Sequence, residues 1–198
     1  MGGRPLGRGS VDGTVIGLVG VTGLAGVGKT TAGKYLSNST GGRYFYLGQT
    51  VLDQVRARRL PQTPESERQV RIDLRRKNGP EALVLPYLDE VAECLGNGIP
   101  VFIDAIFNQE ELNLLRSRVP SGHARLLAID ASFDIRLTRL ASRPERRFNA
   151  DELRKRDKYE LEVLRTSAVI AAAGNTISNE HTFKEFYARL EEFVSRCA

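Results

Sequence analysis

Short, β-branched apolar runs alternate along this chain with longer stretches of helical pattern, which is how a parallel sheet with crossover helices reads in sequence. The runs are Thr14 to Val21, Tyr44 to Leu47, Ile99 to Asp104, Arg125 to Asp130 and the short Asn175 to Ser178, predicting five strands. The aromatic run Tyr44, Phe45, Tyr46 reads as strand core, not as a base-stacking platform. The intervening helices carry start and stop signals. Thr63 with Pro64 at the first helical position opens one, and Asn108 with Glu111 opens another. Asn149 with Glu152 repeats the pattern, and the Gly96 to Gly98 segment closes the helix before the third strand. No repeat, low-complexity segment or interdomain linker interrupts the pattern.

At 198 residues the chain fits one compact domain. Residues 1–13, "MGGRPLGRGSVDG", are rich in Gly and Arg and are expected to be a flexible tail, leaving 14–198 as the domain. The tail has no apolar h-region, and Leu6 stands where a myristoylation motif needs Ser or Thr. No window approaches the roughly 20 apolar residues of a membrane span, so a soluble protein without a membrane partner is expected. The two cysteines, Cys94 and Cys197, lack metal-ligand spacing and suit a reducing cytoplasm. The formal charge of +5 permits an anionic partner, whether nucleotide, phosphorylated metabolite or nucleic acid, and selects none of them.

The chemistry concentrates after the first run, in "GLAGVGKTT". Gly23-x4-Gly28-Lys29-Thr30 satisfies the phosphate-loop pattern between a strand and a helix. Glycines at 23, 26 and 28, with Val27 between them, let backbone N–H groups converge where side chains would block the approach. Those donors and the positive end of the helix dipole face an anion. Lys29 would neutralise the β and γ phosphates, the Thr30 hydroxyl would ligate Mg2+, and Thr31 would touch the α phosphate or nothing. ATP, or another nucleoside triphosphate, with Mg2+ is the expected cofactor pair.

Neither a guanine-reading Asn-Lys-x-Asp segment nor a switch Asp-x-x-Gly follows the loop, which argues against a Ras-like GTPase. An ATP-driven motor usually ends a strand in Asp-Glu, but Ala105 follows Asp104 here. Transfer to a second substrate needs no such glutamate. Small kinases also need an arginine-bearing lid that excludes water. The segment from Asp134 to Glu160 carries Arg136, Arg139, Arg143, Arg146, Arg147, Arg154 and Arg156. Pro144 interrupts its helical pattern, predicting a short lid at about 143–150 with a helix on each side. Arg139 and Arg143, four apart, are the leading phosphate contacts, and Arg156 is next. The alternative is a solvated basic helix paired with Asp134, Asp151, Glu152 and Asp157. His123 and His181 fall in surface connections without partners.

Taken together, these segments resemble the adenylate-kinase and dephospho-CoA-kinase-like branch of P-loop kinases, and within it an uncharacterised, archaeal-type nucleotide-kinase-like family. The similarity runs from Val15 to about Phe193. "YFYLGQTVLDQV", "TPESERQVRIDLRRKNGPEALV", "VFIDAIFNQEEL", "RLTRLASR", "RDKYEL" and "NTISNEHTFKEF" match the family's segments in order. The resemblance implies a three-layer α/β domain with a parallel sheet of order 2-3-1-4-5, helices on both faces, an acceptor site after the second strand, and the lid. It implies that Gly48 and Arg75 face the acceptor and that Asp104, at the tip of the third strand, sits beside Mg2+ and the acceptor.

Three positions depart from that pattern. Gln49 replaces an aspartate, substituting a neutral amide for a carboxylate able to act as a base. Leu52 and Phe107 stand where nucleotide kinases commonly carry the arginines that clamp an acceptor phosphate. An apolar Leu52 and Phe107 would instead line a pocket for a ring or acyl group. With Gln49 neutral, Asp104 becomes the candidate to position the acceptor hydroxyl or hold Mg2+. The expected activity is phosphoryl transfer from ATP to a small acceptor, which the resemblance implies is first of all a nucleotide or nucleotide-like molecule, with a non-nucleotide metabolite as the alternative. A nucleotide-binding regulatory or nucleic-acid-associated protein is the alternative, disfavoured because the basic residues concentrate in the lid.

Overall fold

The computed structural model describes residues 16–120 and 122–197. The expected tail, and the first two residues of the first apolar run, lie outside them. Within that run, β1 (Leu18–Thr22) has all five residues buried, as a strand covered on both faces requires. It is the middle strand of a five-stranded sheet with β2 (Arg43–Tyr46), β3 (Val101–Asp104), β4 (Ala124–Asp130) and β5 (Asn175–Ser178), in the order β2-β3-β1-β4-β5. Every pairing is parallel. Val21 lies opposite Asp104 and Tyr46 lies opposite Asp104 on the other side, so the ends of β1, β2 and β3 open together on one edge of the sheet. In doubly wound sheets that carboxyl edge is where ligands bind.

The crossovers carry α1 (Lys29–Thr40), α2 (Gly48–Ala57), α3 (Pro64–Asn78), α4 (Leu88–Gly96), α5 (Gln109–Arg116), α6 (Phe133–Ala141), α7 (Ala150–Lys158) and α8 (Thr166–Ala171), and α9 (Phe183–Cys197) follows the last strand. The predicted caps form. Thr63 Oγ1 accepts from Ser66 N at 3.2 Å and Asn108 Oδ1 from Glu111 N at 2.7 Å. Asn149 and Glu152 make a reciprocal capping box, satisfying two backbone donors at the start of α7. A π-helical turn, Tyr159–Val163, continues from α7.

Side-chain alternation along the strands divides the core. Leu18, Val101 and Ile103 point to one face, where they pack with Val51, Val70, Val91 and Cys94 of α2, α3 and α4. Val19, Val21 and Phe102 point to the other, onto Leu36 of α1 and Phe186, Leu190, Phe193 and Cys197 of α9. The spacing of those α9 residues by three and four places them on one helical stripe. Leu140, Phe148 and Leu153 form a separate small cluster that gives the segment between α6 and α7 its own support. That connection, residues 142–149, has a helix on each side and coincides with the segment expected to be a lid at about 143–150. Among the described residues no helix is long and apolar enough to cross a membrane.

Candidate functional site

The loop between β1 and α1 is shaped by three glycines with positive φ, at 133° for Gly23, 87° for Gly26 and 106° for Gly28. A Cβ on Gly28 would also lie 2.4 Å from Asn179 Nδ2, which itself donates to the Val27 carbonyl at 2.8 Å. The residue after β5 thus fixes the loop from behind. Lys29 is buried at the first position of α1, and its ammonium donates to the Gly23 and Leu24 carbonyls, each at 2.8 Å. Burial pushes this ammonium below its ordinary pKa, while Glu160 and Asp104 oppose that shift. Phosphate oxygens would supply the compensating charge.

Asp104 ends β3 and is 1% exposed. Its Oδ2 accepts from Thr30 Oγ1 at 2.6 Å and from Tyr44 Oη at 2.7 Å. Burial, then the Asp104 charge, raises the Tyr44 phenol above its ordinary range, so this hydroxyl remains a donor. Thr30 and Asp104 form a small set of hard oxygen ligands at the mouth of the loop. Among the described residues no group of three His, Cys, Asp or Glu side chains gathers to cage a metal. Mg2+ is commonly held by one or two protein groups together with substrate phosphates and water, and this pair fits that mode.

On one side of the loop, Gly28, Thr31, Arg139, Arg143, Asn179 and Phe183 line a cavity of about 260 Å3. Arg139 Nη2 donates to the Asn179 carbonyl at 2.9 Å, whereas its Nη1 is buried without a partner. Phe183 is 67% exposed and offers a ring face there. Arg139 lies in α6, but Arg143 lies in the lid beyond the end of that helix, so the two flank the loop from successive elements and not from one helical face. Arg143 also lines the cleft on the opposite side of Lys29.

That second cleft contains Tyr46, Gly48, Phe107, Arg71, Arg146 and Arg156. A Cβ on Gly48 would strike the Tyr46 ring at 2.4 Å, so the ring's course across the start of α2 requires glycine. The Phe107 ring has the Lys29 ammonium 5.4 Å and the Arg156 guanidinium 6.0 Å from its centroid. Glu67 of α3, 2% exposed, accepts both Nε and Nη2 of the lid's Arg146 and, at 3.4 Å, Nη1 of Arg71. Arg156 pairs with Glu160 in the π turn. Burial works against both Arg146 and Arg156, but their carboxylate partners outweigh it and hold each charge firmly. Arg71 is the exception. Burial, followed by repulsion from Arg156, pushes its pKa below the ordinary value.

Arg75, expected to face the acceptor, does not line this cleft. It lies one helical turn beyond Arg71, where it donates to Glu111 Oε1 at 2.7 Å and to the Pro80 carbonyl at 3.2 Å. Its buried pair ties α3 to α5. Gln49 turns along the exposed side of α2 and donates to Asp53 at 2.8 Å. Leu52 is half-buried outside the cleft, and its neighbour Val51 lines the wall instead. Tyr44 and Tyr46, read as strand core, each direct their rings toward the site. The remaining arginines of the segment 134–160 separate by role. Arg136 binds Asp157 with two bonds, at 2.9 and 2.7 Å, and supports the loop through the Ala25 carbonyl at 3.1 Å. Arg154 pairs with Asp151 on the surface, and Arg147 bonds the Arg143 carbonyl.

Sequence reasoning did not single out Glu67, Arg71, Arg146, Glu160, Asn179 or Phe183 as site residues. A signal existed for two pairs: Glu67 with Arg71, and Arg156 with Glu160, stand four apart, the spacing at which helical side chains meet.

Comparison with known proteins agrees with this fold. A family described as an AAA domain matches residues 19–165. The UPF0200 protein of Methanoregula boonei is 30% identical over 179 residues, covering 89% of this chain and 95% of that protein. The UPF0200 protein of Pyrococcus abyssi is 25% identical over 178 residues, covering 89% and 94%. Among solved structures, a shikimate kinase from Bacteroides thetaiotaomicron superposes with a TM-score of 0.60 at 17% identity, covering 90% of this chain and 98% of that one. A gluconokinase from Sinorhizobium meliloti gives 0.57 at 16% identity, covering 93% and 95%. The chain therefore belongs to the UPF0200 family, has an AAA-domain match that covers its phosphate loop and its first four strands, and has the fold of P-loop kinases.

Proposed function

We propose that this UPF0200 family member is a phosphotransferase that moves the γ-phosphoryl group of ATP to a hydroxyl of a small acceptor. The observation that carries the reading is the bond from Thr30 to Asp104, at 2.6 Å, between two facing groups of lining residues. Arg139, Asn179 and Phe183 belong to the triphosphate side, and Gly48, Phe107 and Arg71 belong to the acceptor side. Lys29 and Arg143 line both, which is where charge on a transferred phosphoryl group would have to be neutralised. Thr30 and Asp104 would hold Mg2+, which when bound would supply charge neutralisation for the phosphates. Asp104 would also accept a hydrogen bond from the acceptor hydroxyl and aim it, leaving catalysis to positioning and charge more than to proton transfer.

The names of the solved neighbours, kinases of shikimate and gluconate, support a small-molecule acceptor over a macromolecular one. The residue after Asp104 is Ala105, so the carboxylate that would activate water in a motor is missing from that position. Labelled ATP offered with panels of hydroxylated acids, sugars, nucleosides and nucleotides tests the proposal. Acceptor-dependent release of ADP with label in the acceptor is the expected result, and absence of transfer to every class would overturn it.

A further inference from the structure

Arg71, Arg146 and Arg156 converge on the acceptor cleft from α3, the lid and α7, an arrangement suited at first sight to an acceptor phosphate. Two of them arrive already compensated. Arg146 presents Nε and Nη2 side by side to the two oxygens of Glu67, the geometry in which a guanidinium would receive a carboxylate or phosphate from a ligand. Arg156 is held by Glu160, itself 1% exposed. Arg71 is different. It is 8% exposed, lines the cleft, and makes its single side-chain bond at 3.4 Å. Among these three arginines and two carboxylates one cation is in excess, and Arg71 keeps unused donors among the described residues; Lys29 and Arg143, also on the cleft wall, line the phosphate-loop side as well and would be engaged there by the donor's phosphates.

Resting on the phosphotransferase reading, we propose that Glu67 is a specificity-determining residue: a counter-anion built into the arginine cluster, it fits the cleft for a singly charged or uncharged hydroxylated acceptor and turns away a phosphomonoester. A phosphomonoester brings about two negative charges at neutral pH. With Lys29 and Arg143 engaged by the donor's phosphates, only one is matched by Arg71, and the other would face the buried Glu67 carboxylate, an arrangement that low dielectric makes costly. Glu67 cannot withdraw into solvent without leaving Arg146 and Arg71 unpaired. A carboxylate on the acceptor, by contrast, matches the available Arg71 donors in charge and shape.

Calorimetry with orthophosphate as probe, in the presence of saturating Mg2+ and a non-hydrolysable ATP analogue to occupy the phosphate loop, separates this from transfer itself. Glu67→Gln is expected to bind orthophosphate at least about tenfold more tightly than the wild type. Adding Arg71→Met is expected to abolish that gain. Equal binding by wild type and Glu67→Gln, or a gain that survives Arg71→Met, would overturn the proposal. If Glu67→Gln does not fold, the wild type decides. Orthophosphate binding that is lost in Arg71→Met would show that the cleft takes a dianion despite Glu67, whereas no such binding supports the exclusion. Failure of every acceptor to receive label would overturn the phosphotransferase reading and leave this binding comparison standing.

Discussion

The two sides of Lys29 are built by different means. The side proposed for the triphosphate rests mainly on consecutive residues, a buried strand, a loop whose glycines take positive φ and the first turn of α1, with Arg139, Asn179 and Phe183 completing it from later in the chain. The acceptor side is assembled from side chains that meet across 79 residues, as Glu67 and Arg146 do, and is held by buried ion pairs. Main-chain recognition reads a feature common to all triphosphates. A side-chain cluster can be retuned one charge at a time, so on the proposed function acceptor selectivity would be set on that side.

Substitutions on each side should separate these contributions. Lys29→Ala should have the largest effect, reducing labelled-phosphate transfer by about a hundredfold or more while the far-ultraviolet circular dichroism is kept. Arg75→Ala should reduce stability by about 3 to 5 kcal/mol in urea unfolding, because Glu111 loses its buried partner, and should leave ATP affinity unchanged. A drop in acceptor affinity without loss of stability would instead return Arg75 to the acceptor site. The deficit should depend on pH. Burial raises the Glu111 pKa, with Arg75 opposing, so removing Arg75 raises it further. A carboxyl whose folded pKa is raised costs stability as pH climbs from its unfolded value, about 4.3, through the folded one. The gap between Arg75→Ala and wild type should therefore be widest at pH 7 and narrow toward pH 5. Tyr44→Phe removes one bond to the Asp104 carboxylate and should lower transfer by roughly tenfold, with a rise in the Mg2+ needed for half-maximal rate. Thr63→Ala should be mildest, costing about 1 kcal/mol of stability through the α3 cap with no change in transfer.

What the sequence revealed follows the same division. The order of strands, the caps at Thr63, Asn108 and Asn149, and the phosphate loop depend on neighbouring residues, and each was legible from local pattern. The sheet order was legible through the family resemblance. Arg71 and Arg75 were harder, because they share a helical face and differ by one turn. Which of them meets the cleft is decided by Glu111, a residue that reads as an ordinary acid in the first turn of α5 and is fully buried. The lid arginines pose the same difficulty. Charge density identifies the segment, but Arg136 becomes a brace because Asp157 and the Ala25 carbonyl lie within reach, while Arg143 remains free to line both sides. No spacing rule supplies those tertiary neighbours.

The two cysteines sit on opposite faces of the sheet, Cys94 beneath α4 and Cys197 at the end of α9. Burial raises both thiols above their ordinary pKa, suppressing the reactive thiolate. Burial slows the alkylation of each, so opening of its own layer should speed it. The chain thus carries a native pair of chemical reporters, one for each half of its interior, whose separate labelling rates would reveal whether the layers open together or one at a time.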